Sequence, residues 1–130
     1  MLTGRPVELQ PAIDALMGTH PQGTSVEALR DYLTAAGLSV GWGWCAGPLM
    51  ADEIAAAALA GRYTIPLIWG EWTHTVTHFV LCYGSASGRV YVADSLRGLV
   101  EYPEADFETR WVPVTRFGDL CPYLTVGLKA

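Results

Sequence analysis

Two strand-like stretches, Thr75 to Tyr83 and Arg89 to Asp94, stand either side of Gly84-Ser85-Ala86-Ser87-Gly88. Turn-forming residues between two runs rich in β-branched and aromatic side chains predict a β-hairpin. It is the most regular pattern in the chain. With Ser85-Ala86-Ser87 as the loop, Gly84 faces Gly88, Cys82 faces Val90, Val80 faces Val92 and His78 faces Asp94. Directly opposed residues on antiparallel strands share a face, with Cβ atoms about 5 Å apart. A slip of one residue would send His78 and Asp94 to opposite faces. A third short strand, Leu99 to Tyr102, continues the meander.

The segments before the hairpin are mostly helical. Pro11 suits the first position of a short helix ending near Met17, and His20 to Gly23 reads as a turn. Thr24 and Glu27 form a capping box. Val26, Leu29, Leu33 and Ala36 then recur at helical spacing until Gly37 stops the helix. Leu38 to Trp44 reads as a strand weakened by Gly41 and Gly43, and Pro48 to Leu59 as a helix ended by Gly61. Thr64 to Trp69 is an apolar strand in which Pro66 predicts an edge or a bulge. Glu104 to Trp111 predicts a short helix, and Tyr123 to Leu128 a final strand. Helices first and a mostly antiparallel sheet after is an α+β order.

The length of 130 residues fits one domain spanning residues 1–130, and the apolar content of 51% is enough for a core. A net charge of −5 without a Lys/Arg cluster argues against a nucleic-acid partner. No apolar run reaches the roughly 20 residues that span a bilayer. The first residues, Met1-Leu2-Thr3-Gly4-Arg5-Pro6, lack the basic and apolar regions of a signal peptide. The expected location is cytoplasmic, or exported as part of an assembly. The three cysteines, Cys45, Cys82 and Cys121, are widely spaced, which predicts reduced and mostly buried thiols rather than a disulfide framework or a zinc site.

A carboxylate beside an imidazole fixes the ring's tautomer and stabilises the imidazolium formed when the ring takes a proton. That arrangement serves a nucleophile such as a thiol, although a buried His–Asp pair also occurs as a purely structural contact. His74 lies four residues before His78, with Glu71 nearby; this is a weak metal pattern, and no metal or other cofactor is expected. His20 reads as a turn residue.

The order of signals resembles the papain-like cysteine peptidases, in particular the bacterial branch that cleaves double-glycine leaders. The motif-bearing region runs over residues 23–111. Gly23-Thr24-Ser25 with Leu29, Leu33, Gly37 and Leu38 resembles the segment after that family's catalytic helix. Ala60-Gly61-Arg62 followed by Thr64-Ile65-Pro66 resembles its entry to the central strand. His78-Phe79-Val80-Leu81-Cys82-Tyr83-Gly84 resembles its histidine strand, and Gly88-Arg89-Val90-Tyr91-Val92-Ala93-Asp94 its aspartate strand. The resemblance implies a papain-like half-core with His78 as general base and Asp94 as its orienting partner. It also implies a cysteine, preceded by a glutamine, before Gly23. None of the first 22 residues is a cysteine, so the chain reads as beginning just after the catalytic helix.

Cys45 is the candidate substitute, because it precedes a helix and a helix N-terminus favours a thiolate. Cys82 lies four residues along the strand from His78, about 13 Å away by strand rise. Nothing in the sequence places Cys121 near His78. Three functions follow: a degenerate peptidase domain that binds a peptide or protein partner, with Trp42, Trp44, Trp69 and Trp72 lining its cleft; an active thiol peptidase or amidase that uses Cys45 or a cysteine from another chain or a missing segment; and a structural subunit of a larger assembly.

Overall fold

The computed structural model describes residues 26–69, 77–94, 97–114 and 118–128. Helix α1 (Val26–Ala35) leads into strand β1 (Leu38–Cys45), and a 3-10 turn, Gly47–Leu49, leads into helix α2 (Met50–Leu59). Then come β2 (Tyr63–Trp69), β3 (Thr77–Phe79), β4 (Leu81–Ala86), β5 (Arg89–Asp94), β6 (Gly98–Pro103), helix α3 (Glu104–Glu108) and β7 (Cys121–Leu128). The strands form one sheet in the order β1-β7-β2-β4-β5-β6, with β3 also paired to β2. Every named strand pair is antiparallel. Helices on a mostly antiparallel sheet make this an α+β fold of papain-like type, as the sequence predicts.

Strand alternation sends successive side chains to opposite faces, and each face has its own helix. Val26, Leu29 and Leu33 of α1 pack with Leu38, Ile65, Phe79, Leu81, Leu124 and Val126 on one face. Met50 and Ile54 of α2 pack with Ile68, Val80, Cys82, Val90, Val92 and Phe107 on the other. Gly37, with φ of +91°, ends α1 in a conformation that suits glycine.

The glycines of β1 make room for side chains that cross the strand. On the α2 face Gly41 pairs with Thr125 and Gly43 with Tyr123. A side chain at Gly43 would run into the Tyr123 ring. The Tyr123 hydroxyl donates to Glu53 Oε2 at 2.7 Å. Arg62 donates to Ser39 Oγ and O and to Thr125 Oγ1 and O, at 3.0 to 3.2 Å, tying β1 to β7.

Three expectations need correction. Pro66 is not at an edge: β2 has β7 on one side and β3 and β4 on the other. Trp69 N donates to Arg110 O and Val112 N donates to Leu67 O, so these odd-numbered backbone groups face away from β3 and β4. The nitrogen of Pro66 therefore faces β3 and β4, where the shared register puts it across from Val80. Val80 is the residue between those strands. A missing N–H coincides with the break in the ladder.

The hairpin turn is also shorter than expected. Ala86 pairs with Arg89, and the two residues between them, Ser87 and Gly88, have φ of 55° and 76°. Two positive φ values give a turn whose twist matches the strands. Finally, the helix from Glu104 stops at Glu108, and Trp111 bridges Ile68 in extended form. Arg110, Trp111 and Val112 are all buried; three consecutive buried side chains do not fit the single apolar stripe of a surface helix.

The expected helix at Pro11 to Met17, the turn at His20 to Gly23, Thr24 of the capping box and Thr75 lie outside the described residues. Among the described residues no helix is long and apolar enough to cross a membrane.

Leu33 is fully buried, whereas Leu59 is 91% exposed. Leu33→Ala is expected to cost about 2–5 kcal/mol in urea denaturation and Leu59→Ala less than about 0.5 kcal/mol.

Candidate active site

Strand β3 places His78 opposite Ile68 of β2, on the face covered by α2. Asp94 ends β5. Their side chains are 7% and 1% exposed, and His78 Nε2 lies 3.6 Å from Asp94 Oδ2. That separation is long for a hydrogen bond, and the buried Nε2 makes none. The same Oδ2 accepts from Arg97 Nη1 at 3.4 Å, and Arg97 N donates to Asp94 O at 3.3 Å. The carboxylate thus stands between an imidazole and a guanidinium.

The approach of His78 to Asp94 depends on one extra residue. Near the turn, Ser85 pairs with Val90 and Gly84 with Tyr91. Continued unchanged, that register would place Asp94 opposite Leu81 and leave His78 on the face opposite the carboxylate. Instead a bulge intervenes between Cys82 and Gly84, where Tyr83 is the extra residue, and Cys82 pairs with Val92 and Leu81 with Ala93. Continuing from there, Asp94 stands across from Val80 and diagonal to His78. The expected direct pairing of His78 with Asp94 is therefore replaced by a diagonal one on the same face, a reach open to long side chains. Tyr83 stacks on Tyr91, with ring centroids 6.1 Å apart, over the irregular site.

The candidate nucleophiles lie elsewhere. Cys45 ends β1, directly opposite Cys121 of β7. Three strand spacings separate β1 from β3, on the order of 14 Å at ~4.8 Å each. Cys45 is also protonated at neutral pH. Burial, then the neighbouring Cys121 and Glu53, push its thiol from 9.0 up to about 12. Desolvation outweighs the activation expected from the helix that follows, and that helix begins at Met50 after the 3-10 turn. Burial pushes Cys82 and Cys121 upward as well.

The tryptophans divide between strands. Trp42 and Trp44 stack on β1 with centroids 5.6 Å apart, and the Arg30 guanidinium sits 5.2 Å over Trp42. Trp42 packs with the α1-side cluster, and Trp69, next to Ile68, also alternates to that face. His78 is on the other face. Trp72, His74, Glu71 and His20 lie outside the described residues. Among the described residues no group of three His, Cys, Asp or Glu side chains could hold a metal. Arg97 and the Tyr83 bulge escaped sequence reasoning. The available signals were an arginine three residues after the acid and a glycine entering the turn.

Comparison with known proteins gives one family: the peptidase C39 family matches residues 9–116. No curated protein matches the chain. Among solved structures, the peptidase domain of Streptococcus ComA, a bi-functional ABC transporter involved in a quorum sensing pathway, matches with a TM-score of 0.63 and 13% identity. The match covers 92% of this chain and 77% of that one. At that identity the likeness shows the fold alone.

Deleting Tyr83 is expected to put His78 and Asp94 on opposite faces, at a cost of about 3–5 kcal/mol for a buried charge that loses its partner. Asp94→Ala should then recover most of the loss in the deletion background and be destabilising on its own, a difference that urea denaturation of the four proteins measures. The thiols predict a second effect. Above pH 9 an unfolded chain releases the Cys45 proton, while the folded chain keeps it until about pH 12. Stability from this group is complete below pH 9 and falls by up to about 1.4 kcal/mol per pH unit above it. Denaturation at stepped alkaline pH should show the fall, and Cys45→Ala should make it shallower.

Proposed function

Because the chain belongs to the peptidase C39 family, we propose that it is a catalytically degenerate cysteine-peptidase domain that binds a peptide or protein partner. The observation that carries this reading is the separation of base from thiol. His78 keeps its carboxylate neighbour at 3.6 Å, while the two cysteines inside the matched region are unsuited to it. Cys45 is three strands away and protonated, and Cys82 is four residues along from His78 and buried. General-base activation needs near hydrogen-bond reach.

The aromatic surface supports binding. Trp44 is 43% exposed on edge strand β1, stacked on Trp42. Flat, rigid side chains supply contact area at low entropic cost. This surface is on the opposite sheet face from His78, so a partner held there is docked rather than presented to the imidazole. The charge of −5 favours a peptide or protein over nucleic acid. A cytoplasmic setting, or export within a larger assembly, accompanies this reading.

One observation favours a second reading. With Nε2 turned to Asp94, the other ring nitrogen, Nδ1, is the one left to act as base. A cysteine supplied by another chain would complete an active thiol peptidase.

The test uses peptides containing a double-glycine site. Degeneracy predicts saturable binding and no cleavage above the His78→Ala background, and a thiol-reactive peptidyl probe that labels no cysteine preferentially. Trp44→Ala should weaken binding about tenfold, roughly 1.4 kcal/mol, with an unchanged melting temperature. Turnover that depends on His78 would contradict this reading, and turnover appearing only with a second chain would favour the alternative. No peptide binding, together with a fixed-stoichiometry complex, would instead favour a structural subunit.

A further inference from the structure

Strands β1 and β7 pair along their whole length, and the final pair on the α2 face is Cys45 with Cys121. Both thiols are free and buried. Antiparallel partners sit with Cα atoms about 4.5 or 5.5 Å apart, depending on the pair type. Both values fall inside the range that a disulfide accepts, about 4.4–6.8 Å. The third cysteine, Cys82, lies on β4, separated from β7 by β2. Among the three thiols, the register singles out one couple.

Their place in the sheet gives a reactant access. Ala46 follows Cys45 and Leu120 precedes Cys121, and both are exposed. The 3-10 turn beside Cys45 is exposed at Pro48 and Leu49. The pair therefore lies one residue below the surface, at the end of a ladder where backbone adjustment is easiest. On the inner side Tyr123 lies across Gly43, with its hydroxyl on Glu53, and holds the next rung in place.

We propose that Cys45 and Cys121 form a reversible cross-strand disulfide that locks edge strand β1 to β7. The oxidant is a low-molecular-weight disulfide such as oxidised glutathione. One cysteine thiolate attacks it, forming a mixed disulfide and expelling one glutathione thiolate. The second cysteine, deprotonated in turn, attacks the protein sulfur of the mixed disulfide and expels the other glutathione. The protein loses two protons and two electrons, and the oxidant becomes two thiols. A dithiol reductant reverses the sequence. The bond closes a loop over more than half of the chain and so constrains the unfolded state. Because both thiols are held above their ordinary range, the reaction is slow at neutral pH and accelerates as pH rises. This lock goes beyond the proposed function and stands apart from it: neither cysteine contacts His78 or Asp94.

The experiment incubates the intact, folded protein with oxidised glutathione at pH 8 to 9, then blocks remaining thiols and digests with trypsin. The three cysteines fall in separate peptides, residues 31–62, 63–89 and 117–129. The expected result is a mass lower by two hydrogens, a linked 31–62/117–129 pair and an alkylated Cys82. The melting temperature should rise by on the order of 10 °C and return on reduction. Cys82→Ser should leave both effects intact, and Cys121→Ser should remove both. Links that involve Cys82, links formed only after denaturation, or stable glutathione adducts without a Cys45–Cys121 bond would overturn the proposal. The comparison of oxidised with reduced wild-type protein does not depend on any variant folding.

Discussion

Whether His78 shares a face with Asp94 is decided by a single inserted residue in β4. A two-residue turn sets one register for the hairpin, and the bulge at Tyr83 changes it by one step before the strand reaches His78. Strand side chains alternate, so that step brings the imidazole to the α2 face, where Asp94 stands in line with Val90 and Val92. The separation of 3.6 Å between His78 and Asp94 follows from it. Pro66 acts on the same strand from the other side, interrupting the ladder at Val80 and separating the short piece that carries His78 from the rest of β4. Both irregularities follow the imidazole's strand, and the regular sheet around them holds both in place.

Much of this was legible from residue patterns. The α1 periodicity, the hairpin, the Leu99 to Tyr102 strand and the shared face of His78 and Asp94 all follow from alternation and turn chemistry. The detailed pairing did not, because a turn one residue shorter and a bulge of one residue both shift the register. Their combined shift is even, so the right face emerged from the wrong partners. Gly41 and Gly43 read as weakness in β1 because the side chains that fill their space, Thr125 and Tyr123, arrive from distant β7. The stretch from Arg110 to Val112 read as helix because its burial against β2 is tertiary. Arg97 could not be assigned to Asp94 without knowing how the chain turns after β5.

The thiols show how environment overrides local sequence. A cysteine just before a helix suggests activation, yet Cys45 sits at the end of β1 beneath α2, against Cys121 and near Glu53. Low polarity and a nearby carboxylate both disfavour the thiolate. The His78–Asp94 pair is in place on β3 and β5, while the described thiols belong to the packing of the sheet. A papain-like fold can keep its shape and its His–Asp pair while its use changes, since fold alone does not fix function.

The central claim is that the bulged register delivers the Asp94 carboxylate to Nε2 of His78 and leaves Nδ1 as the basic nitrogen. Two-bond nitrogen–proton correlation spectra of the neutral imidazole test this directly. The account predicts a proton on Nε2 that exchanges slowly in the wild-type protein, and faster exchange or mixed tautomers in Asp94→Ala. A proton resident on Nδ1, or a His78 spectrum indifferent to the loss of Asp94, would contradict it.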